Sequence, residues 1–325
     1  MKVKCLLIYK KVSDVMQDNE LLLFDRLEVI KATNKKYDLE NNAYISFSGG
    51  KDSTVLHHLI DMALPNNKIP RVFINTGIEY VDVVKFVKEL AKNDDRIIII
   101  SPNTPIKKVL ETYGYPFKSK NHSHHLAIYQ NGGMTTSIKK YLGLEKGNSI
   151  YTCPKILEYQ FTSDFKIKCS DKCCDKLKKE PARKWEKENN RSIVLTGMRK
   201  EEGGQRKALK GCIITDKEGN VTKFHPLLVV NDEFEDWFID RHQIKLCKLY
   251  YPPYNFYRTG CKGCPLALKL QEQLDTIEKF LPNEQKQCEF IWKPVYEEYK
   301  RLGYRLKHNK QLSFADLLES VDDEQ

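Results

Sequence analysis

An eight-residue stretch constrains the fold of this chain more than any other feature. Residues 46–53 read Ser-Phe-Ser-Gly-Gly-Lys-Asp-Ser, after a β-type apolar run and before a run with helical spacing. Adjacent glycines let backbone N–H groups approach an anion closely, and a helix N-terminus adds unpaired donors and a positive dipole end. Lys51 adds a mobile charge. The pattern predicts a phosphate-binding turn between a strand and a helix, and its residue order differs from that of Walker A.

The sequence after this turn alternates short apolar runs with amphipathic ones. Strands are predicted at 43–47, 71–74, 96–101 and 192–196, and helices at 53–63, 81–93, 104–113 and 180–189. This alternation is typical of an α/β fold with a doubly wound parallel sheet, in which ligands bind at the carboxyl ends of the strands. We expect three regions: an N-terminal helical segment (1–40), a nucleotide-binding domain (41–250) with an insertion at about 114–170, and a helical C-terminal extension with a cysteine-bearing loop (251–325).

Composition narrows the class of protein. The 325 residues carry a formal net charge of +10, which attracts phosphorylated ligands or nucleic acid, although interspersed Lys and Glu also suit an ordinary solvated surface. No apolar run approaches the ~20 residues of a membrane span, and the first residues lack a signal-peptide core, so we expect a cytoplasmic protein without a membrane partner. Ten cysteines in that compartment argue against a disulfide framework and for thiol chemistry or metal binding.

Four cysteines have the spacing of a shared site. Cys173 and Cys174 are adjacent, and Cys261 and Cys264 form a distant Cys-x-x-Cys motif. Four thiolates suit a [4Fe–4S] cluster or a structural zinc ion, and an adjacent pair fits the paired knuckles of zinc sites poorly. We therefore predict these four residues as metal ligands, with a [4Fe–4S] cluster as the preferred group, zinc as the alternative, and unliganded thiols as the remaining interpretation.

These motifs resemble a known superfamily, the PP-loop adenine nucleotide alpha-hydrolases. Residues 48–53 resemble its SGGxDS signature, and residues 72–79 resemble its second nucleotide segment. The cysteine set, with residues 173–184 and 195–206, resembles the phosphoadenosine phosphosulfate (PAPS) and adenylyl-sulfate reductases that carry a [4Fe–4S] cluster. The resemblance covers roughly residues 41–265 and implies a Rossmann-like, HUP-type nucleotide-binding fold.

Two features separate the chain from those reductases. Their mobile tail carries a catalytic Cys-Gly-x-His, whereas residues 312–325 contain neither cysteine nor histidine. Their phosphate loop is often degraded, whereas residues 48–53 are intact, as in true ATP pyrophosphatases. Sulfur-inserting enzymes of bacterial DNA phosphorothioation and some tRNA thiolases combine an intact loop with a cluster. The resemblance therefore favours ATP-dependent adenylation of an acceptor for sulfur transfer, with a nucleic acid acceptor and a sulfur-donor protein as partners.

The resemblance also assigns roles to individual residues. Lys51, Asp52, Arg199 and Arg206 are the predicted catalytic residues. Lys51 would hold the β- and γ-phosphates, Asp52 would bind Mg²⁺ or cap its helix, and the arginines would neutralise the α-phosphate or a sulfate-like group. ATP or a related adenine nucleotide is predicted to contact Ser46, Phe47, Ser48, Gly49, Gly50, Lys51, Asp52, Ser53, Thr76, Gly77, Thr196 and Gly197.

Two other functions remain open at this point. One is a sulfonucleotide reductase that uses an unorthodox or external thiol. The other is a non-catalytic sensor that binds a nucleotide and a cluster. Pyrophosphate release, sulfite release and binding without turnover distinguish the three, and the oligomeric state is left open.

Overall fold

The chain forms two compact units, each made of two separate stretches of sequence. They are seen in a computed structural model that describes residues 18–146 and 152–307. The first unit contains the described residues up to Asn103 together with Lys178–Gly260. The second contains Thr104–Leu177 and the described residues from Cys261 onward, so the predicted insertion at 114–170 falls within it. No helix in these described ranges is long and apolar enough to cross a membrane.

The helices and strands are numbered in chain order. The helices are α1 (Asp18–Tyr37), α2 (Leu39–Asn42), α3 (Lys51–Ala63), α4 (Val81–Asn93), α5 (Ile106–Tyr113), α6 (Lys120–Gly132), α7 (Thr136–Tyr141), α8 (Glu180–Glu188), α9 (Asp232–Arg241), α10 (Leu270–Phe280) and α11 (Pro282–Leu302). The strands are β1 (Ala43–Ser46), β2 (Arg71–Ile74), β3 (Ile97–Ile100), β4 (Ile193–Leu195), β5 (Ile213–Thr215) and β6 (Val221–Phe224).

All six strands form one sheet in the first unit, in the order β3–β2–β1–β4–β6–β5. Neighbouring strands run parallel, except that β5 is antiparallel to β6. In the centre of the sheet, Ile45 of β1 lies opposite Arg71 of β2 and Leu195 of β4. The predicted parallel α/β sheet is confirmed, and the β5–β6 hairpin adds an antiparallel edge that the sequence pattern did not predict.

Helices cover both faces of this sheet. On one face, the Arg71 side chain of β2 donates from Nε to Nδ1 of His57 in α3, at 3.1 Å. On the other face, Trp185 of α8 packs against Tyr44 of β1 and Val72 of β2, with the Tyr44 and Trp185 ring centroids 5.2 Å apart. Because successive strand residues point to opposite faces, α3 and α8 lie on opposite sides of the sheet. The doubly wound architecture is therefore confirmed.

The described part of the second unit is helical apart from its loops. It contains α5, α6 and α7 from its first stretch and α10 and α11 from its second. Trp292, Tyr296 and Tyr299 of α11 are buried. The predicted helical C-terminal region is confirmed, since α10 and α11 occupy most of residues 270–302.

Candidate functional site

The turn between β1 and α3 has the backbone conformation that its two glycines permit. Gly49 has φ of +68°, and a Cβ atom there would lie 2.7 Å from Cγ2 of Val87. Gly50 is the N-cap of α3 and has an extended backbone. A Cβ atom on Gly50 would lie 3.1 Å from the Tyr250 hydroxyl. Both positions therefore exclude a side chain without a shift of neighbours, and the helix start is left without a side-chain cap, as an anion-binding turn requires.

Hydroxyl groups hold this turn in place from inside. The Ser53 and Thr54 hydroxyls donate to the Gly50 carbonyl at 3.0 and 2.9 Å. The Ser48 backbone N–H donates to Ser53 Oγ at 3.2 Å. The turn is thus fixed by its own serine and threonine residues, and Ser53 acts here as a scaffold within the loop.

A distant tyrosine completes the turn. The Lys51 backbone N–H donates to the Tyr250 hydroxyl at 2.9 Å, and that hydroxyl lies 2.8 Å from Thr259 Oγ1. Sequence reasoning missed Tyr250 and Thr259. Neither stands in a motif, and the sheet topology alone brings them to residues two hundred positions earlier.

A cavity of about 180 Å³ opens at this turn. It brings together the four residues predicted as catalytic, and it adds the cation Arg258, which the sequence analysis did not identify. Its lining consists of Ser48, Gly50, Lys51, Asp52, Arg199, Arg206, Tyr250, Tyr257, Arg258, Thr259 and Gly260. Four cationic side chains on one small cavity form a site for a polyanion.

Arg199 is the buried cation of this cavity, with 2% of its surface exposed. Its Nε donates to Asp52 Oδ1 at 2.9 Å, and its Nη2 donates to Asp232 Oδ1 at 2.7 Å. It also lies 3.2 Å from a Glu235 carboxylate oxygen and 3.3 Å from one of Glu201. Burial lowers the pKa of Arg199, but Glu235 and the neighbouring aspartates outweigh it and raise that pKa. The guanidinium group is therefore permanently charged and fixed in orientation.

Glu235 is a buried acid next to the two central cations. Its side chain is fully buried, and neither carboxylate oxygen has a hydrogen-bond partner among the described residues. Oε2 lies 3.2 Å from Arg199 Nη2 and 3.5 Å from Lys51 Nζ. Burial, followed by the charge of Asp52, raises the pKa of Glu235 to about 8. A protonated Glu235 leaves Asp236 as the carboxylate partner of Lys51 and leaves Arg199 with Asp52, Asp232 and Glu201.

The other two arginines are half exposed. Arg206 Nε lies 3.0 Å from a Glu202 carboxylate oxygen, and Arg258 contacts the same carboxylate. Arg258 also lies 3.8 Å from Asp52 Oδ2. Both can reorient towards a phosphate group with less rearrangement than Arg199, because their side chains are 38% and 44% exposed.

Two predicted nucleotide contacts, Thr196 and Gly197, do not line the cavity. A Cβ atom on Gly197 would lie 2.7 Å from the Asp52 carbonyl oxygen, so this glycine allows the segment after β4 to touch the first turn of α3. Thr196 Oγ1 lies 2.7 Å from His225 Nδ1. Gly197 thus permits close packing of this segment on α3, and the contact of both residues with a nucleotide remains a prediction from the sequence.

A second cavity, of about 210 Å³, lies at the carboxyl ends of β1 and β2. Its lining is Ser46, Phe47, Ser48, Val72, Phe73, Ile74, Glu79, Lys178, Lys179, Ala182, Thr259 and Gly260. It shares Ser48 and Thr259 with the first cavity, so the two are adjacent. The predicted contacts Thr76 and Gly77 do not line it; Thr76 instead donates from its N–H to Glu79 at 2.8 Å and fixes that carboxylate.

The four predicted metal ligands all lie in the second unit. Cys173 is buried, and Cys174, Cys261 and Cys264 are half buried. Side chains of α11 hold the loop that begins at Cys261. Trp292 Nε1 donates to the Lys262 carbonyl at 3.1 Å, and the Tyr299 hydroxyl donates to the Pro265 carbonyl at 3.0 Å.

The described residues contain no group of three or more His, Cys, Asp or Glu side chains that could hold a metal ion. Of the two oxygens of the Asp52 carboxylate, Oδ1 accepts from Arg199. The four cysteines as ligands of a [4Fe–4S] cluster or a zinc ion remain a prediction from the sequence.

Comparison with protein families gives a decisive match. A model of the phosphoadenosine phosphosulfate reductase domain matches residues 42–146 and 142–267, which is more than half of the chain. The chain belongs to this family. As a PAPS reductase-family protein it is also a member of the PP-loop adenine nucleotide alpha-hydrolase superfamily, as its sequence predicts.

The similarity of this PAPS reductase-family chain to individual proteins is more distant. An uncharacterized protein of Methanocaldococcus jannaschii is 31% identical over 119 residues, which cover 34% of this chain and 28% of that protein. The match thus spans less than a third of the length of that relative. Among solved structures, PAPS reductase from Candida auris has a TM-score of 0.40 at 18% identity and covers 69% of this chain and 82% of its own.

Two further structures resemble the chain at similar distance. FMN adenylyltransferase from Candida glabrata has a TM-score of 0.42 at 14% identity, with 73% of this chain and 62% of that chain covered. The NH₃-dependent NAD synthetase from Campylobacter jejuni has a TM-score of 0.37 at 12% identity, with 91% and 100% covered. No reaction is inferred from similarities this distant.

Proposed function

We propose that this PAPS reductase-family protein is an ATP pyrophosphatase that adenylates an acceptor for sulfur transfer. One observation carries the proposal: Lys51, Arg199, Arg206 and Arg258 converge on the cavity at an intact glycine turn. That cavity adjoins a second one at the carboxyl ends of β1 and β2, where nucleosides bind in open α/β sheets. The combination suits a triphosphate attached to a nucleoside.

In this proposal, the adenosine occupies the second cavity and the phosphates occupy the first. Backbone N–H groups of residues 49–53 and the Lys51 side chain hold the β- and γ-phosphates, and the arginines hold the α-phosphate. For this, the Lys51 N–H exchanges the Tyr250 hydroxyl for a phosphate oxygen. Asp52 would hold the Mg²⁺ that accompanies ATP through Oδ2, because a hard cation prefers carboxylate oxygen and Oδ1 accepts from Arg199. The protein supplies position and charge, which is sufficient for catalysis of nucleotidyl transfer.

The chemistry has two steps. An acceptor oxygen attacks the α-phosphorus, the bond between the α-phosphorus and its bridging oxygen to the β-phosphorus breaks, and pyrophosphate leaves with the electron pair while the acceptor proton passes to solvent. A sulfide-class nucleophile then bonds to the acceptor atom that carries the adenylated oxygen, and AMP leaves with that oxygen. A nucleic acid acceptor and a sulfur-donor protein belong to this proposal as partners.

The first test is the product of ATP turnover. The full chain is incubated with ATP, and AMP, ADP, phosphate and pyrophosphate are quantified. We expect AMP and pyrophosphate in equal amounts, and we expect Lys51→Ala to lower the rate by about 100-fold, since a positioned cation at a developing charge is worth that much. Lys92→Ala, at an exposed position of α4, serves as the matched control and should retain the rate.

Formation of ADP and phosphate would contradict the proposal, as would full activity of Lys51→Ala. The variant should have the same circular dichroism spectrum and unfolding midpoint as the unchanged chain, which separates loss of phosphate binding from loss of fold.

The predicted cluster is tested independently of activity. Anaerobically purified protein is analysed for its visible spectrum and for iron, sulfide and zinc, together with Cys261→Ser. A [4Fe–4S] cluster predicts broad visible absorption with about four iron and about four sulfide per chain, all reduced in the variant. A colourless protein with one zinc per chain would support the alternative, a structural zinc site.

Sulfonucleotide reduction is the second candidate, because the family model that matches the chain is that of the PAPS reductase domain. It requires an unorthodox or an external thiol, since residues 312–325 lack the Cys-Gly-x-His of the reductases. Thiol-dependent release of sulfite from PAPS or adenylyl sulfate, without pyrophosphate release from ATP, would favour it. Nucleotide binding without either reaction would favour a non-catalytic sensor.

A further inference from the structure

A third cavity of the first unit adjoins the phosphate cavity but extends away from the glycine turn along α9. It has a volume of about 470 Å³ and lies between α9 and the connector at 250–257. Its walls are largely aromatic, with Trp237 from the helix and Tyr251 and Tyr257 from the connector. Tyr251 and Tyr257 are 42% and 64% exposed, so both residues are accessible to a ligand.

Two carboxylates of α9 line the same cavity. Asp236 and Asp240 are four residues apart, so their side chains lie on one face of the helix. The Asp236 side chain is 71% exposed and lies 3.3 Å from Lys51 Nζ, and Asp240 is exposed. The cavity therefore combines aromatic faces with hydrogen-bond acceptors of negative charge.

This combination selects a class of ligand. Aromatic side chains stack on heteroaromatic rings with little dependence on the identity of the ring. Carboxylates accept hydrogen bonds from exocyclic amino groups, as they do from the N4 amine of cytosine. Lys51 also lines the cavity, but it pairs with Asp236. Beside Asp240 a carboxylate disfavours a phosphate group by charge repulsion, so the α9 side of the cavity suits the ring.

We propose that this cavity binds a heteroaromatic ring bearing an exocyclic amine, of the nucleobase class, stacked on Trp237 and the connector tyrosines and hydrogen-bonded to Asp236 or Asp240. The cavity shares Lys51, Tyr250 and Tyr257 with the phosphate cavity, so such a ring lies beside the proposed site of adenylation. Its role as part of the acceptor rests on the proposed function; its binding does not.

Trp237 provides a direct readout of binding. The chain has three tryptophans, of which Trp185 and Trp292 are 7% and 1% exposed, whereas Trp237 is half buried and lines the cavity. Cytidine is titrated into the full chain without ATP while tryptophan fluorescence is recorded. We expect saturable quenching that Trp237→Phe removes, and weaker binding of uridine by about 10-fold, because uridine lacks the exocyclic amine.

Matched variants of α9 test the carboxylates. Asp240→Asn, alone and combined with Asp236→Asn, should weaken cytidine binding by about 10-fold for a lost charged acceptor. Glu233→Gln, an exposed position on the same helix that does not line the cavity, should leave the affinity unchanged. Single-stranded oligocytidine distinguishes the source of the ring: tighter binding than cytidine identifies a nucleic acid, and equal affinity identifies a free nucleoside.

Equal affinity for uridine and cytidine, or an unchanged affinity in the double aspartate variant, would overturn the inference. Displacement of cytidine by tetramethylammonium at equal concentration would also overturn it, since it would mark a site for simple cations. Pyrophosphate release from ATP by a chain that fails to bind cytidine would remove this inference alone and leave the proposed function standing.

Discussion

At the scale of single residues, the raised pKa of Glu235 predicts how the stability of the folded chain depends on pH. Its pKa in the folded chain is about 8, above its ordinary value of 4.5, because it is buried beside Asp52. The folded state therefore holds this proton more tightly than the unfolded state, and its contribution to stability is lost as pH rises from about 4.5 to about 8. We expect Glu235→Gln to remove this part of the pH dependence.

The measurement is the urea unfolding midpoint between pH 6 and pH 9. The midpoint of the unchanged chain should fall over this interval, and that of Glu235→Gln should fall less. Glu233→Gln, an exposed change on the same helix, should keep the original slope. Identical slopes for all three proteins would show that Glu235 is ionised throughout.

The close approach of Gly197 to the Asp52 backbone predicts the effect of adding a side chain at this position. Alanine at this position would place Cβ 2.7 Å from the Asp52 carbonyl oxygen, so either α3 or the segment after β4 must move. We expect Gly197→Ala to lower the free energy of unfolding by about 1–3 kcal/mol, as overpacking does. Gly211→Ala, where a Cβ atom meets nothing within 4 Å, is the control for the change of residue type. Urea unfolding of both variants is the test, and equal stability would refute the contact.

The sequence predicted the site residues that lie close together along the chain and missed those that come from distant segments. Lys51 and its glycines were found because a strand, a turn and a helix start lie within one short stretch. Tyr250, Arg258 and Glu235 line or support the same site but come from segments that reach it only through the sheet topology. No local pattern marks a tyrosine whose partner is a distant backbone N–H.

At the scale of elements, the start of α9 supports the cation at the centre of the site. Asn231 is its N-cap, and its side chain accepts from the Phe234 N–H at 2.9 Å. The next residue, Asp232, binds Arg199. We expect Asn231→Ala to cost about 1 kcal/mol of stability, the usual value for a lost cap, and to weaken ATP binding by loosening Asp232.

Asn231→Asp separates these effects from a general loss of side-chain contacts, since aspartate also caps a helix. Thermal unfolding and equilibrium ATP binding of both variants are measured together. Were the alanine variant as stable as the aspartate variant, the cap would have no measurable role in the fold.

The spacing of apolar residues predicts helix α4 correctly and does not predict the β5–β6 hairpin. The apolar spacing at Val81–Asn93 predicts a long amphipathic helix, and the structure has the same bounds. Strands β5 and β6 are as short as the predicted strands, but β5 has only two apolar residues and Thr222 and Lys223 interrupt the apolar pattern of β6. Pairing with β4 and with each other stabilises them, and that information is not local.

At the scale of the whole molecule, each unit contains a buried neutral histidine. Burial lowers the pKa of His57 in the first unit and of His122 in the second to about 4, from an ordinary value of 6.5. A lowered pKa in the folded state means that stability is present above about 6.5 and is lost as pH falls towards 4. We expect the urea midpoint to drop between pH 7 and pH 5.

Glutamine at each position tests this separately for the two units. His57→Gln and His122→Gln should each show a smaller drop in midpoint over the same pH interval, whatever their stability at pH 7. A drop as large as that of the unchanged chain in both variants would assign the acid sensitivity to other groups.

The sequence predicted the α/β fold class, but it did not predict which stretches of the chain form each compact unit. Alternating strand and helix patterns predict a sheet wherever they occur, and a single long stretch was expected to form the nucleotide-binding domain. The structure groups Thr104–Leu177 with the described residues from Cys261 onward. Which helices pack together depends on side-chain fit between distant segments, and a sequence pattern does not carry it.

The interleaving of the two units has a consequence for synthesis on the ribosome. Strand β1 pairs with β4, which is made only after the whole of Thr104–Leu177. Strand β1 therefore has one unpaired edge while the first stretch of the second unit, which is also incomplete, is synthesised. A gene fragment that ends before β4 encodes half of each folding unit and the whole of neither.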